Sequence, residues 1–297
     1  MSDDQRCSLA SATLGEPMAG SAATSRSWVC LEQPGPWGRD ALVDNHLADG
    51  VGAKLAEAVE GTGVRMVLIR RPGRHADRHQ PGPHRVYLAH TAPGDTWLER
   101  TDVLDPTELL DLDFAAIGAG ERPGVGAVST DPVLVVCTNG RRDVCCALYG
   151  RPIAIDLAAR HGDTVWEGSH LGGHRFSPTA LLLPTGYAYG RLDTASAAAL
   201  LTGPGVVTDR CRGRSTWTDR GQVAELRVRE LIGEHHPDAV RVDASTGGDV
   251  LVRHRDGRGW TVTVVVRAFG PDRAASCGKA PTPATELHVA AVTEIGA

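Results

Sequence analysis

The sequence predicts an α/β protein, α+β overall, in which short strands alternate with helices. The clearest sign is the continuous apolar run at 133–136, which is typical of a strand buried on both faces. A second sign is the helical spacing of apolar residues over 146–160. The third is a set of glycine- and proline-rich segments that separate these stretches, the longest at 118–132.

The first predicted domain covers residues 25–120 and follows a small, polar N-terminal arm, 1–24, that we expect to be irregular. A polar, histidine-rich loop separates its second and third strands, and the segment at 118–132 is interpreted as a linker. The order strand, helix, strand, strand is compatible with a thioredoxin-like layer. The predicted elements are strands at 27–32, 64–69 and 85–89, a helix at 42–59 and a short helix at 104–112.

The second predicted domain covers residues 130–204 and has a similar order, which also fits a thioredoxin-like layer. Its predicted elements are strands at 133–136, 165–167, 179–183 and 187–191, and helices at 146–160 and 195–202. A C-terminal α+β segment, 213–297, follows. Its predicted elements are an amphipathic helix at 222–232 and strands at 249–255 and 260–267.

Composition excludes several classes of function. With 297 residues the chain is long enough for about two domains. Its 41% hydrophobic and 23% charged residues are typical of a globular protein, and a net charge of −5 argues against nucleic-acid or anionic-membrane binding. No apolar run is long enough to cross a bilayer and the acidic N-terminus is unlike a secretory signal, so we expect a cytoplasmic protein. The seven cysteines are then better interpreted as metal ligands or buried thiols than as disulfides.

Two short motifs in the middle of the chain carry the candidate chemistry. Cys137 and Cys146 are separated by eight residues, and His170 and His174 by three. Two sulfurs and two nitrogens form a ligand set for zinc or for an iron–sulfur cluster. The histidine spacing suits a zinc finger, but the cysteine spacing is too wide for one. By chemistry alone Cys145 is nearly as good a ligand as Cys146.

The residues around these motifs suit a site that carries negative charge. Arg142 lies beside the thiols, and a nearby cation favours the thiolate. Gly172 and Gly173 disfavour a helix between the histidines and would let the backbone approach an inorganic core closely. Ser169 and Arg175 flank the histidines as candidate hydrogen-bond donors. We expect the cysteines to be buried and the histidines to form the more exposed side.

Both motifs resemble those of the sucrase/ferredoxin-like family. The resemblance lies in C-T-N-G-R-R-D-V-C-C at 137–146 and S-H-L-G-G-H-R-F at 169–176, with further likeness in G-P-W-G at 35–38 and S-C-G-K at 276–279. It implies a thioredoxin-like ferredoxin domain with one [2Fe-2S] cluster, both cysteines on one iron and both histidines on the other. The ligands that the resemblance implies are Cys137, Cys146, His170 and His174.

Three functions compete on the sequence. The first is an electron carrier with one [2Fe-2S] cluster, which we expect to be a carrier rather than a catalyst. It would need an electron donor, such as a reductase, and an acceptor, because the chain has no flavin or nicotinamide motif. The second is a structural zinc protein that uses the same four ligands and has no redox role. The third is a thiol redox enzyme acting through Cys145 or Cys146, which ranks last because no C-x-x-C motif is present. Cys277 has the interpretation of a buried or reactive thiol, and Cys7, Cys30 and Cys211 have no patterned partner.

Overall fold

The computed structural model of the chain describes residues 6–48, 50–73 and 82–296. Most of the polar, histidine-rich loop predicted between the second and third strands lies outside the described residues, as do the first five residues of the arm.

The protein is a mixed α/β structure, as the sequence predicts. Its described strands form a ten-stranded sheet and a four-stranded antiparallel sheet. The strands of the large sheet are β1 (Ser27–Glu32), β2 (Val64–Arg70), β3 (His84–His90), β4 (Trp97–Val103), β5 (Ala127–Val128), β6 (Val133–Cys137), β7 (Val165–Gly168), β8 (Ala180–Leu183), β9 (Tyr187–Tyr189) and β10 (Cys211–Arg214). The strands of the small sheet are β11 (Val240–Thr246), β12 (Asp249–His254), β13 (Gly259–Ala268) and β14 (Thr285–Ile295).

Helices cover the sheets and connect their strands. The α-helices are α1 (Cys7–Thr13), α2 (Val51–Ala58), α3 (Phe114–Ala119), α4 (Arg151–His161), α5 (Thr194–Thr202) and α6 (Asp219–Ile232). Short 3₁₀ turns occur at Pro106–Asp111, Gly162–Thr164 and His174–Phe176, and one π-helical turn at Cys146–Gly150.

The large sheet consists of two layers with the same topology. In the first, β1 and β2 are parallel and β3 and β4 are antiparallel additions, in the order β2-β1-β3-β4. In the second, β6 and β7 are parallel and β8 and β9 are antiparallel additions, in the order β7-β6-β8-β9. Each therefore has the strand order of the thioredoxin-like layer that the sequence predicts.

The two layers join at a short antiparallel seam. β2 pairs with β7 through two residue pairs, Ile69 with Gly168 and Arg70 with Glu167. All four residues are at the carboxyl ends of their strands, so the layers meet tip to tip. The segments predicted as separate domains at 25–120 and 130–204 thus contribute strands to one continuous sheet.

The C-terminal segment is attached through α6. This helix packs against β10 of the large sheet and against all four strands of the small sheet, which answers a question that the sequence left open. Glu225 and Arg229 form a fully buried ion pair on the helix, with 3.0 Å between Oε1 and Nε. The hydroxyl of Tyr187 in β9 also donates a hydrogen bond to Glu225, so the helix is bound to the large sheet by polar as well as apolar contacts.

Several predicted boundaries were wrong for identifiable reasons. The helix predicted at 42–59 begins only at Val51, because Gly50 has a left-handed φ of 77° and Asn45 donates its amide to the carbonyls of Ala41 and Leu42. The arm predicted as irregular contains α1, and the predicted linker at 118–132 contains the end of α3 and strand β5.

The helix predicted at 146–160 is two elements. Its first turn, Cys146–Gly150, is π-helical, and α4 proper begins at Arg151. Pro152 explains the change, because a proline has no N–H to donate to the preceding turn and is tolerated at the start of a helix.

Candidate metal centre

Parallel pairing brings the two sequence motifs to the same edge of the sheet. Cys137 ends β6 and pairs with Gly168, which ends the neighbouring parallel strand β7. The loops that carry the cysteines and the histidines both leave from this point. Carboxyl ends of parallel strands are where open α/β sheets place their sites.

The cysteine pair is buried and linked by a hydrogen bond. Cys137 is 1% and Cys146 0% exposed. The Cys146 thiol donates to Cys137, which holds the pKa of Cys137 well below its ordinary value despite burial and raises the pKa of Cys146 well above it. His170 also forms a hydrogen bond with Cys137. Cys146 is thus the neighbour of Cys137, whereas Cys145 contacts other residues, described below.

The two histidines face each other with their Nδ1 atoms buried and unpaired. Their ring centroids are 6.0 Å apart with 31° between the planes. Neither Nδ1 has a hydrogen-bond partner, although each is buried. Both residues are half-buried overall, and burial is the largest influence lowering the pKa of His174. The expectation that the histidine side is more exposed than the cysteine side is confirmed.

The glycines between the histidines are required by a buried arginine. Gly172 and Gly173 have left-handed φ angles of 77° and 68°. Arg212, which is fully buried, donates from Nη1 to the Gly172 carbonyl at 3.0 Å. A Cβ atom on Gly173 would lie 2.2 Å from Nη2 of the same guanidinium. Arg212 therefore fixes the backbone that carries both imidazoles.

The other residues predicted near the ligands make contacts that hold the loops in place. Ser169 is buried, and its hydroxyl accepts a hydrogen bond from the Leu68 backbone in β2 at 3.1 Å. Arg175 forms an ion pair with Glu16 at 2.9 Å. Arg142 is half-buried and donates its backbone N–H to the side chain of Asn139 at 3.3 Å.

A second group of ligand side chains lies next to the first and was not foreseen. The ligand atoms of Cys7, Asp143, Cys145 and Cys277 all lie within 4.8 Å of one another, so this group could hold a metal ion. Asp143 also lies beside the histidine pair, with 3.8 Å between its Oδ2 and Nε2 of His174.

The sequence offers little signal for this second group. The chain separates Cys145 from Cys277 by 132 positions and from Cys7 by 138. Such spacings fit no local ligand motif, and only the surplus of unpatterned cysteines hinted that they might have a shared role.

The fold and the two groups of ligand side chains define an α/β protein with candidate metal-binding sites. Within the described residues, no helix combines the length and the apolar character needed to cross a membrane. The family model for sucrase/ferredoxin-like proteins matches residues 18–213, about two thirds of the chain. The protein belongs to the sucrase/ferredoxin-like family. Searches of curated proteins and of solved structures gave no match.

Proposed function

We propose that this protein is an electron carrier with one [2Fe-2S] cluster held by Cys137, Cys146, His170 and His174. The observation that carries the proposal is the pair of buried imidazole Nδ1 atoms without hydrogen-bond partners. A buried polar atom left unpaired costs about 1–3 kcal/mol, so two in adjacent rings need a compensating ligand. Neutral imidazole nitrogens and a cysteine with a lowered pKa are donors that iron accepts.

The spread of the four side chains favours a two-iron core over a single zinc ion. Zinc bonds of about 2.0–2.3 Å place tetrahedral ligands less than about 4 Å apart. Among the described residues, the group whose ligand atoms all lie within 4.8 Å of one another is the second group, and the four proposed cluster ligands do not belong to it. An inorganic core with two irons keeps its terminal ligands further apart than one ion does.

In this proposal the protein's own residues set where and how easily an electron is exchanged. When bound, the cluster accepts and releases one electron. Neutral imidazoles in place of two thiolates leave the site less negative, which makes reduction easier than in an all-cysteine ferredoxin. The buried Cys137 and Cys146 anchor the site to the sheet, and the half-buried His170 and His174 form the side nearest to solvent.

We further propose that electrons come from a separate reductase and pass to a separate acceptor. A cytoplasmic location belongs to the same proposal, because all seven cysteines are free thiols and thiols persist in a reducing compartment.

The test is the metal content and spectrum of the protein purified without oxygen. We expect two irons and two sulfides for each chain, visible absorption, and a paramagnetic signal after reduction. His170→Ala and Cys146→Ser should lose both iron and colour. His161→Ala, at the end of α4 and away from the motifs, and Cys145→Ser should keep them.

A colourless parent protein would overturn the proposal, and zinc at the four ligands would establish the structural alternative. Loss of iron in Cys145→Ser, together with its retention in Cys146→Ser, would show that the ligand assignment is wrong by one residue.

A further inference from the structure

We propose that Cys7, Asp143, Cys145 and Cys277 form a zinc site distinct from the four cluster ligands. We call this group the Cys3Asp site. Its argument rests on distances, burial and hydrogen bonds that are independent of the electron-carrier proposal.

The distances match a tetrahedron around one ion. The sulfur of Cys277 lies 3.3 Å from that of Cys145 and 3.5 Å from that of Cys7, and the sulfurs of Cys7 and Cys145 are 4.0 Å apart. The two carboxylate oxygens of Asp143 lie 3.7 and 3.6 Å from the Cys7 sulfur. Zinc–sulfur bonds of about 2.3 Å give a tetrahedral edge of about 3.8 Å. The four side chains therefore already have the spacing that one zinc ion needs.

Burial makes the site costly without a cation. Cys7 and Cys145 are 0% and Asp143 3% exposed, and Cys277 is half-buried. The Cys7 thiol donates a hydrogen bond to Cys145, which lowers the pKa of Cys145 to about 6 and raises that of Cys7. Burial raises the pKa of Cys277 to about 11. Without metal the three sulfurs thus share protons, whereas a divalent cation compensates three thiolates together.

Asp143 is held in the orientation of a ligand. Its Oδ2 accepts hydrogen bonds from the Cys277 N–H at 2.8 Å and the Ser276 hydroxyl at 3.0 Å, and its Oδ1 accepts from the Cys145 N–H at 3.0 Å. Burial opposes ionisation of the carboxyl, but the bonds from Cys277 outweigh it and the pKa of Asp143 lies below its ordinary value. Hydrogen-bonded carboxylates of this kind are usual around zinc.

The chemistry of the donors selects zinc. Three thiolates and one carboxylate form a closed, four-coordinate set without an open position, as in structural zinc sites. Thiolates exclude magnesium and calcium, which prefer oxygen ligands. An iron–sulfur core would hold its terminal cysteines further apart than 3.3–4.0 Å.

A metal ion here would join three distant segments of the chain. Cys7 begins α1, Cys145 precedes the π-helical turn, and Cys277 lies in the connection between β13 and β14. A cavity of about 940 Å³ lies between α1 and residues 271–281, so apolar packing between these two segments is incomplete. A zinc ion would supply the attachment, and closing such long loops stabilises the native state most.

The first test is X-ray absorption at the zinc edge of the full-length parent protein, purified with reductant and zinc. We expect one zinc for each chain, with three sulfur neighbours at about 2.3 Å and one oxygen at about 2.0 Å. Two sulfur and two nitrogen neighbours would overturn the proposal, because zinc would then occupy the Cys137, Cys146, His170 and His174 set. No bound zinc would overturn it as well.

The second test measures zinc and iron separately in matched cysteine variants. Cys7→Ser and Cys277→Ser should each weaken zinc binding at least tenfold and leave iron unchanged. Cys30→Ser and Cys211→Ser, at buried cysteines outside both groups, should keep both metals. Zinc retained in the first pair, or lost equally in all four variants, would contradict the site. A native mass lighter by two hydrogens would instead identify a disulfide between Cys145 and Cys277.

Discussion

Glu167 and Arg70 carry the strongest test of the seam between the two sheet layers. The Glu167 side chain is fully buried and Arg70 is 5% exposed, with 2.7 Å between Oε2 and Nη2 and 2.9 Å between Oε2 and Nε. The hydroxyl of Thr138, directly after Cys137, donates to the same oxygen at 2.8 Å. The Arg70 guanidinium also lies over the Trp37 ring at 4.2 Å from its centroid. Removal of the carboxylate charge would leave a buried cation without its counter-ion.

The expected cost of Glu167→Gln follows from that burial. Breaking a buried ion pair by removing one partner costs about 3–5 kcal/mol. This is a large part of the roughly 5–15 kcal/mol that stabilises a typical domain. With a urea dependence of about 3 kcal/mol per molar, the unfolding midpoint should fall by about 1 M or more.

Urea denaturation followed by circular dichroism measures this loss. The control is Asp102→Asn, which removes the carboxylate of the exposed Arg85–Asp102 pair and should cost less than about 1 kcal/mol. The double variant Arg70→Met with Glu167→Leu should cost less than the sum of the two single changes, because no unpaired charge remains. A Glu167→Gln variant as stable as the control would refute the reasoning, since the pair would then be hydrated in solution.

Two further predictions concern the histidine loop and the C-terminal sheet. Gly173→Ala should lose bound iron because its Cβ meets the buried Arg212, whereas Gly172→Ala has its nearest neighbour at 3.9 Å and should keep most of it; equal iron contents would show that Arg212 does not fix this loop. Hydrogen bonding from the His236 backbone lowers the pKa of Glu234 to about 2 from its ordinary 4.5. The stabilisation by Glu234 should therefore be complete above about pH 4.5 and vanish as the pH falls toward 2. Unfolding midpoints of the parent and Glu234→Gln should converge over that range, and a constant difference would contradict the pKa shift.

Sequence reasoning located the interior strands because their apolar runs leave little alternative. β1 matches the predicted strand at 27–32, and β6 extends the predicted 133–136 by one residue. Strands at or near the edges were missed when their chemistry was mixed. β4 alternates buried and exposed residues irregularly. β10 includes two fully buried arginines, Arg212 and Arg214, whose guanidinium groups bond to backbone carbonyls. Composition alone does not reveal carbonyl partners that come from distant loops.

The two groups of ligands differ in predictability for the same reason. The cluster ligands fall in two local motifs, and parallel pairing of their strands makes one site of them. The Cys3Asp site combines α1, the central loop and the C-terminal connection, and no spacing rule links them. The choice between Cys145 and Cys146 was also open, because only the backbone path decides which thiol meets Cys137 and which meets Cys277.

The tip-to-tip meeting of the layers limits how this protein can be divided. A fragment limited to residues 130–204 would leave β7 unpaired along one side, with an exposed hydrogen-bonding edge that invites association with other chains. It would also expose Glu167 and remove the Gly38 carbonyl that accepts the Asn139 amide at 3.0 Å. The first layer, which contributes none of the proposed cluster ligands, thus acts as a wall and an edge cover for the second. The ferredoxin-like layer is a module in its topology but not in its solubility.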